Sequence, residues 1–224
     1  MDAVARDAAA PASTRVLAVR HGQTDWNAAQ RIQGYTDIPL NAHGHWQAQQ
    51  LALALAGEGV QAIYSSDLQR ARATAQPFAD AAGLPVLDAP DLRERRFGHF
   101  EGRSFAEIER DWPADAVRWR RREVDFAPGE GETLLAFDQR CMHACTQLAQ
   151  QHRGQTVLVV THGGVLDCLY RAATRTSLQA PRSWVLANAS VNRLLHSDAG
   201  FVLVGWNDDQ HLALPTAAAA APPR

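Results

Sequence analysis

Four separate segments of the sequence carry histidine, arginine or glutamate residues where a ligand could be held. The segments 20–22 (Arg-His-Gly) and 162–164 (His-Gly-Gly) each directly follow a run of apolar residues. Arg70 comes shortly after a third apolar run, and Glu94 lies among arginines and aromatic residues. A guanidinium can bind two oxygens of one anion, and glycines at a helix start leave backbone N–H groups accessible. Together these residue types predict an anion-binding site.

Each of these residues also has an ordinary structural explanation. A single histidine at a strand end is usually structural or solvated, and Arg70 could simply pair with Asp67. Glu94 could form surface ion pairs with its neighbouring arginines, which contribute little to stability. A shared site is favoured because four independent segments place such residues at corresponding positions.

The elements that must position these residues alternate between strands and helices. Apolar runs typical of strands occupy residues 15–20, 60–64, 85–88, 156–161, 190–196 and 200–206. Stretches typical of helices occupy residues 41–59 (with Asn41 as the N-cap), 67–83, 132–154 and 163–174.

This alternation predicts an α/β fold of three layers. We expect a mostly parallel central sheet of about six strands, one antiparallel edge strand supplied by the final hairpin, and helices on both faces. In such sheets ligands bind beyond the carboxyl ends of the strands. There Arg20, His21, Arg70 and His162 would meet.

The composition fits one globular domain without a general charge excess. The 224 residues are 46% hydrophobic and 21% charged, and the formal net charge is −2. A general nucleic-acid binder would carry a marked basic excess, so any anion site here must be a local cluster. No apolar run approaches the roughly 20 residues of a membrane span. We therefore expect neither a nucleic-acid nor a membrane partner.

One folded unit is expected at residues 15–212, with mobile tails at residues 1–14 and 213–224. The three cysteines, Cys141, Cys145 and Cys168, are too few for a disulfide framework and favour a reducing, cytoplasmic location. Cys141 and Cys145 share a helix face that His143 does not. We therefore predict core thiols there rather than a metal site.

The ordered motifs of the chain resemble those of the histidine phosphatase superfamily, whose members have a phosphoglycerate mutase-like fold. The segment RHGQTDWN is similar to the family's RHG-x-T-x-x-N signature. The similarity covers roughly residues 15–206 and continues in the family's order through RIQGYTDIPLNAHGHWQAQQLA, IYSSDLQRARATA, LRERRFGHFEGRS, PGEGETLLAF and VVTHGGVL. A bare RHG would be a weak signal, whereas the full ordered set is specific.

The resemblance implies a phosphoryl-transfer site with defined roles. His21 would attack phosphorus and become a phosphohistidine, and Glu94 would be the proton donor. Arg20, Arg70 and His162 would hold the non-bridging oxygens of the phosphoryl group. The residues that would line the phosphate pocket and its mouth are Thr24, Asn27, Gln33, Gly34 and Gly163. No metal and no cofactor are implied, because arginines supply the positive charge.

Two activities remain open within this resemblance. The family's cofactor-dependent mutases have a motif similar to HGNS-L-R after the second histidine, where this chain has Gly164. They also tend to have YGxLQG after the acid, where this chain has FGHFEG. Both features favour the phosphatase branch, that is, a metal-independent phosphomonoesterase that acts on a small phosphorylated metabolite.

The alternative is a phosphoglycerate mutase that depends on 2,3-bisphosphoglycerate. Arg120 and Arg121 match a Trp-Arg-Arg segment with which the mutases hold the substrate's carboxylate, so both are candidate substrate contacts. They could equally be a solvated basic helix face. A non-catalytic anion binder is disfavoured by the complete set of matching residues. We expect residues 99–131 to form a substrate-selecting cap, and the protein to be a monomer or a homodimer.

Overall fold

The computed structural model describes residues 12–213. The strands are β1 (Thr14–Arg20), β2 (Val60–Ser65), β3 (Val86–Asp88), β4 (Thr156–Thr161), β5 (Val191–Ser197) and β6 (Gly200–Asp208). The α-helices are α1 (Asp25–Ala28), α2 (Ala42–Leu55), α3 (Gln69–Ala82), α4 (Phe105–Asp111), α5 (Pro113–Arg120), α6 (Leu134–Gln151) and α7 (Gly163–Thr174). The predicted strands and the predicted long helices are all present, with boundaries displaced by a few residues.

The six strands form a single sheet in the order β3-β2-β4-β1-β5-β6. The pairings β3–β2, β2–β4 and β4–β1 are parallel, whereas β5 runs antiparallel to β1 and the edge strand β6 runs antiparallel to β5. All six residues of β4 are buried, as expected for a central strand covered on both faces. The predicted fold class is therefore confirmed.

Hydrophobic residues on the two faces of the sheet form two separate cores. In β1, Val16 and Ala18 belong to the core beneath α6 and α7, while Leu17 and Val19 belong to the core beneath α2 and α3. This alternation follows from the two-residue side-chain period of a strand. The thiols of Cys141 and Cys145 are free and buried in the first core, as predicted from the helix face that they share, and Cys168 of α7 lies in the same core.

The N-terminal boundary of the folded unit lies earlier than expected. Thr14 falls within the predicted N-terminal tail, but it is the first residue of β1 and is fully buried. Its hydroxyl donates to the carbonyls of Ala149 (2.6 Å) and His152 (3.0 Å) at the end of α6. Residues 1–11 and 214–224, which contain most of the two predicted tails, lie outside the described residues.

The segment 99–131 carries its own small core. Phe100, Ile108, Ala116 and Phe126 pack together within it, around the short helices α4 and α5. Within residues 12–213, no helix combines the length and hydrophobicity that crossing a bilayer would require.

Two glycines allow the start of α2 to pack directly on the loop that follows β1. The Asn41 side chain caps α2, as predicted, by accepting from the Gly44 N–H at 2.9 Å. A Cβ on Gly44 would lie 2.1 Å from the Gln23 carbonyl oxygen, and a Cβ on Gly22 would lie 2.7 Å from the Gly44 carbonyl oxygen. Backbone atoms block both positions. The loop that presents His21 is therefore held by a contact between two backbones.

This close approach predicts that Gly44→Ala lowers the free energy of unfolding by about 1–3 kcal/mol, the usual cost of overpacking. The added methyl must displace backbone rather than a flexible side chain. Gly57→Ala is the matched control, because a Cβ at Gly57 meets nothing within 4 Å. Urea unfolding followed by circular dichroism measures both. Equal midpoints for the two variants would contradict the close approach.

Candidate active site

The parallel pairing of β1 with β4 brings the two histidine motifs side by side. Arg20 and Thr161, the last residues of the two strands, are register partners, and the His21 N–H donates to the Thr161 carbonyl at 2.8 Å. The next residue of each chain segment is therefore a histidine at the same edge of the sheet. The ring centroids of His21 and His162 are 5.2 Å apart.

His21 is held as a neutral imidazole with a defined tautomer. Its Nδ1 lies 2.7 Å from the Gly22 carbonyl oxygen, which can only accept, so Nδ1 carries the proton. Burial lowers the pKa of His21 well below its usual value, and the positive charges of Arg70 and Arg20 lower this pKa further. Nε2 is therefore an unprotonated nitrogen at neutral pH, and the ring lines a cleft.

Two arginines line the same cleft as His21: Arg70 is fully buried, and Arg20 is partly buried. Arg70 donates from its terminal nitrogens to the carbonyls of Gly34 (2.8 Å) and Thr36 (3.0 Å), and Arg20 donates to the carbonyl of Leu186. Within the described residues, neither Nε has a hydrogen-bond partner. Burial lowers the pKa of each to about 10, and Glu94 partly opposes that shift. Both stay cationic at neutral pH with a donor to spare.

Glu94 also lines the cleft, and its carboxylate is fixed by two backbone N–H groups. Oε1 accepts from Arg95 N at 2.8 Å, and Oε2 accepts from Gly164 N at 3.0 Å in the first turn of α7. A Cβ on Gly164 would lie 2.1 Å from Glu94 Oε1. A glycine at this position is therefore required for the observed carboxylate placement.

The other residues predicted for the phosphate pocket lie around this centre. Asn27, Gln33, Gly34 and Gly163 line the cleft. Thr24 is buried behind them, where its hydroxyl lies 3.1 Å from Asn27 Oδ1 and 3.0 Å from Gln33 Oε1. Thr24 therefore orients two pocket residues and does not itself line the cleft.

The two arginines predicted as substrate contacts differ in position. Arg120 lines the cleft but forms an ion pair with Glu109. Arg121, the C-cap of α5, is exposed and is not among the residues that line the cleft, so its assignment as a substrate contact stays a prediction. Phe105 and Trp119 stack at 4.9 Å and also line the cleft.

The cleft has a volume of about 700 Å³, and its wall holds seven arginines and two carboxylates. Residues 12–213 contain no cluster of three histidine, cysteine or acidic side chains that could hold a metal ion. Several lining residues were missed from the sequence: Arg95, Arg122, Asp167, Arg182 and Trp184. The only available signals were the Trp-Arg-Arg-Arg run for Arg122 and the four-residue spacing of Asp167 from Arg171.

Comparison with known proteins agrees with this arrangement. The model of the histidine phosphatase superfamily (branch 1) matches residues 16–209. The chain belongs to this superfamily.

Similar proteins include both phosphatases and mutase-like members. The chain is 40% identical over 203 residues to phosphoglycerate mutase-like protein 4 of Arabidopsis thaliana, covering 88% of this chain and 86% of that one. It is 39% identical over 203 residues to the metal-independent phosphoserine phosphatase of the same plant, covering 89% and 84%. The phosphoserine phosphatase of Entamoeba histolytica, solved with 3-phosphoglyceric acid, has a TM-score of 0.81 and 27% identity, covering 89% of this chain and all of that one. The predicted family and enzyme class, a phosphatase of this superfamily, are confirmed.

The second histidine of this phosphatase is oriented by a serine that the sequence analysis did not single out. His162 Nε2 lies 2.8 Å from Ser66 Oγ, while Nδ1 is buried without a partner among the described residues. A hydroxyl both donates and accepts, so this contact fits either tautomer of His162; we assign the O–H of Ser66 as the donor to Nε2, because this arrangement leaves the unpartnered Nδ1 as a donor. The proton of the neutral imidazole then sits on Nδ1, where it can be donated to an anion.

This orientation predicts that Ser66→Ala shifts His162 from the Nδ1–H tautomer to a mixture. Nitrogen-15 chemical shifts of the imidazole measure the change directly. Ser65→Ala is the control, because the Ser65 hydroxyl donates to the Ser66 carbonyl (2.8 Å) and leaves the imidazole hydrogen bond in place. Each variant should lose about 1 kcal/mol of stability with its hydrogen bond. A tautomer unaffected by Ser66→Ala would rule out this assignment.

Proposed function

We propose that the protein is a metal-independent phosphomonoesterase that hydrolyses a small phosphorylated metabolite through a phosphohistidine on His21. One observation carries the proposal: the Nδ1–H of His21 is tied to the Gly22 carbonyl, and this leaves Nε2 unprotonated beside Arg20 and Arg70. A neutral imidazole nitrogen flanked by buried cations is equipped to attack a phosphate ester, whose charge the cations stabilise.

In the first step, His21 Nε2 attacks phosphorus in line with the ester oxygen. The N–P bond forms as the P–O bond to the leaving alkoxide breaks, and Glu94 gives its proton to that oxygen. The donors of Arg20, Arg70 and His162 hold the non-bridging oxygens. These groups supply the positive charge for which many other phosphoryl-transfer enzymes use a metal ion, so no metal or cofactor is needed.

In the second step, water replaces the alcohol. The carboxylate of Glu94 takes a proton from the water, whose oxygen attacks phosphorus and breaks the N–P bond. Inorganic phosphate leaves, and both His21 and Glu94 return to their initial states. The backbone N–H groups of Arg95 and Gly164 keep the carboxylate in place for both proton transfers.

The substrate is a small phosphorylated metabolite, in keeping with a cleft of about 700 Å³ and with relatives named for phosphoserine or complexed with 3-phosphoglyceric acid. The three free, buried cysteines suit a reducing compartment such as the cytoplasm. A monomer or a homodimer is expected, with no nucleic-acid partner.

A phosphoglycerate mutase primed by 2,3-bisphosphoglycerate is the second candidate. Arg120 lines the cleft, one relative is named phosphoglycerate mutase-like, and several others are named probable phosphoglycerate mutases. Two features weigh against this activity: the ion pair of Arg120 with Glu109 and the exposed position of Arg121 outside the cleft.

Phosphorus NMR separates these activities in one tube containing 3-phosphoglycerate, a trace of 2,3-bisphosphoglycerate and p-nitrophenyl phosphate. We expect inorganic phosphate to grow without 2-phosphoglycerate. Rapid formation of 2-phosphoglycerate with little phosphate released would make the protein a mutase, and no turnover of any ester would make it an anion binder.

His21→Ala should lower turnover by at least about 10⁴-fold. His143→Ala, at an exposed position on α6, is the control and should retain full turnover.

The role of Glu94 predicts an effect that depends on the leaving group. Glu94→Gln should lower kcat for 3-phosphoglycerate by about 10²-fold or more, because an alkoxide needs a proton from the general acid. With p-nitrophenyl phosphate, whose leaving group needs none, we expect a burst of one p-nitrophenol per enzyme followed by slow turnover. Glu130→Gln, an exposed residue outside the main cleft, controls for the change of charge. Equal losses for both substrates without a burst would contradict the role.

A further inference from the structure

Asp167 is a buried carboxylate in a cleft otherwise built to attract anions. It lies in the second turn of α7, lines the cleft and is only 5% exposed. Its Oδ2 accepts from Arg122 Nη2 at 2.6 Å and from Arg171 Nε at 2.9 Å. Its Oδ1 is buried and has no hydrogen-bond partner among residues 12–213.

The proposed phosphoryl-transfer chemistry gives this carboxylate no role. A carboxylate repels a phosphate group, and a buried acceptor without a hydrogen-bond partner destabilises the fold. Both arginines approach the same oxygen, so the ion pairs satisfy only Oδ2 and leave Oδ1 unpaired. A ligand that places a hydrogen-bond donor next to Oδ1 would give this oxygen the partner that it lacks.

The surrounding structure holds Asp167 rigidly. Arg122 has a backbone φ of +53°, which is unfavourable for a residue with a side chain. From this conformation its guanidinium donates to the Leu178 carbonyl (2.6 Å) as well as to Asp167. On the other side, Arg171 is fully buried and lies over the Trp184 ring at 4.7 Å. The carboxylate is therefore locked between two cations that come from different segments, and it cannot rotate freely to pair its second oxygen.

We propose that Asp167 Oδ1 accepts a hydrogen bond from an ammonium or hydroxyl group on the carbon skeleton of the substrate. The preferred substrates are then phosphate monoesters that carry such a donor, and esters without one are bound less well. This inference rests on the proposed function, because it concerns the same cleft. It makes Asp167 a specificity-determining residue, with Arg122 and Arg171 as the residues that position it.

Three substrates of one carbon skeleton test the donor directly. O-Phospho-L-serine carries an ammonium group, 3-phosphoglycerate carries a hydroxyl group at the same carbon, and 3-phosphonooxypropanoate carries neither. We expect kcat/KM for at least one of the first two to exceed that for the third by about 10-fold or more. That ratio corresponds to about 1.4 kcal/mol, the strength of a hydrogen bond to a charged group. The better of the two identifies the donor as ammonium or hydroxyl.

Asp167→Asn tests the role of Oδ1, because it replaces a hydrogen-bond acceptor at that position with a donor. The two arginines are donors, so the amide oxygen must face them and the amide NH₂ takes the place of Oδ1. A second donor then meets the donor of the substrate. The preference ratio should fall to about one, and since a ratio within one variant is used, a general loss of activity cancels.

Asp208→Asn controls for the loss of an ion-paired carboxylate. Asp208 pairs with Arg193 at 2.7 Å and does not line the cleft, so this variant should keep the preference ratio. A wild-type ratio near one, or an unchanged ratio in Asp167→Asn, would overturn the assignment of Asp167 while leaving the phosphatase proposal intact. The proposed function itself fails separately, if the wild-type protein does not hydrolyse p-nitrophenyl phosphate. The wild-type ratio decides the question even if Asp167→Asn does not fold.

Discussion

The parallel register between β1 and β4 is the constraint on which the rest of the site depends. Because Arg20 is the register partner of Thr161, β1 and β4 end at the same level. The residues that follow them, His21 and His162, therefore lie side by side. The hydrogen bond from the His21 N–H to the Thr161 carbonyl extends the ladder by one residue beyond the strand. A slip of one residue would turn alternate side chains to the other face. Such a slip would turn the side chains of residues 16–19 toward the opposite core and would separate the two imidazoles.

The site also contains charged side chains that are removed from water, and this desolvation costs free energy. Arg70 is fully buried and Arg20 is partly buried, and desolvation lowers the pKa of both to about 10. Carbonyl oxygens of Gly34, Thr36 and Leu186 hold their terminal nitrogens, but carbonyls do not neutralise a cation. A bound phosphate dianion would offset this cost, because it supplies both the missing charge and acceptors for the Nε donors. Burial, and after it the charges of Arg70 and Arg20, lower the pKa of His21. In the proposed mechanism the same two arginines therefore bind the phosphate group and keep the nucleophile neutral.

The sequence was sufficient for the elements that carry local signals. Apolar runs marked β1 and β4, Asn41 marked the start of α2, and parallel strands necessarily bring their carboxyl ends together. The missed residues depend on long-range packing instead. Asp167 was indistinguishable from any helix residue four positions before an arginine, and Arg182 lies in a loop without a recognisable motif. A run of basic residues does not reveal which of them faces the cleft, so the sequence could not distinguish Arg120, which lines it, from the exposed Arg121. That choice is made by the tertiary contacts of residues 99–131, which periodicity cannot supply.

The contact between Glu94 and α7 gives a physical meaning to the second glycine of the His-Gly-Gly motif. Any side chain at position 164 would place its Cβ 2.1 Å from Glu94 Oε1 and 2.9 Å from Phe137 Cζ. The mutase-like motif has a larger residue at the corresponding position, so a chain with that motif cannot hold its acid on this N–H in the same way. Here the backbone N–H groups of Gly164 and Arg95 hold the two oxygens of the carboxylate against the first turn of α7. In the proposed mechanism this fixed carboxylate takes a proton from water, so Gly164 connects a single sequence difference with water, rather than a returning organic alcohol, as the attacking group.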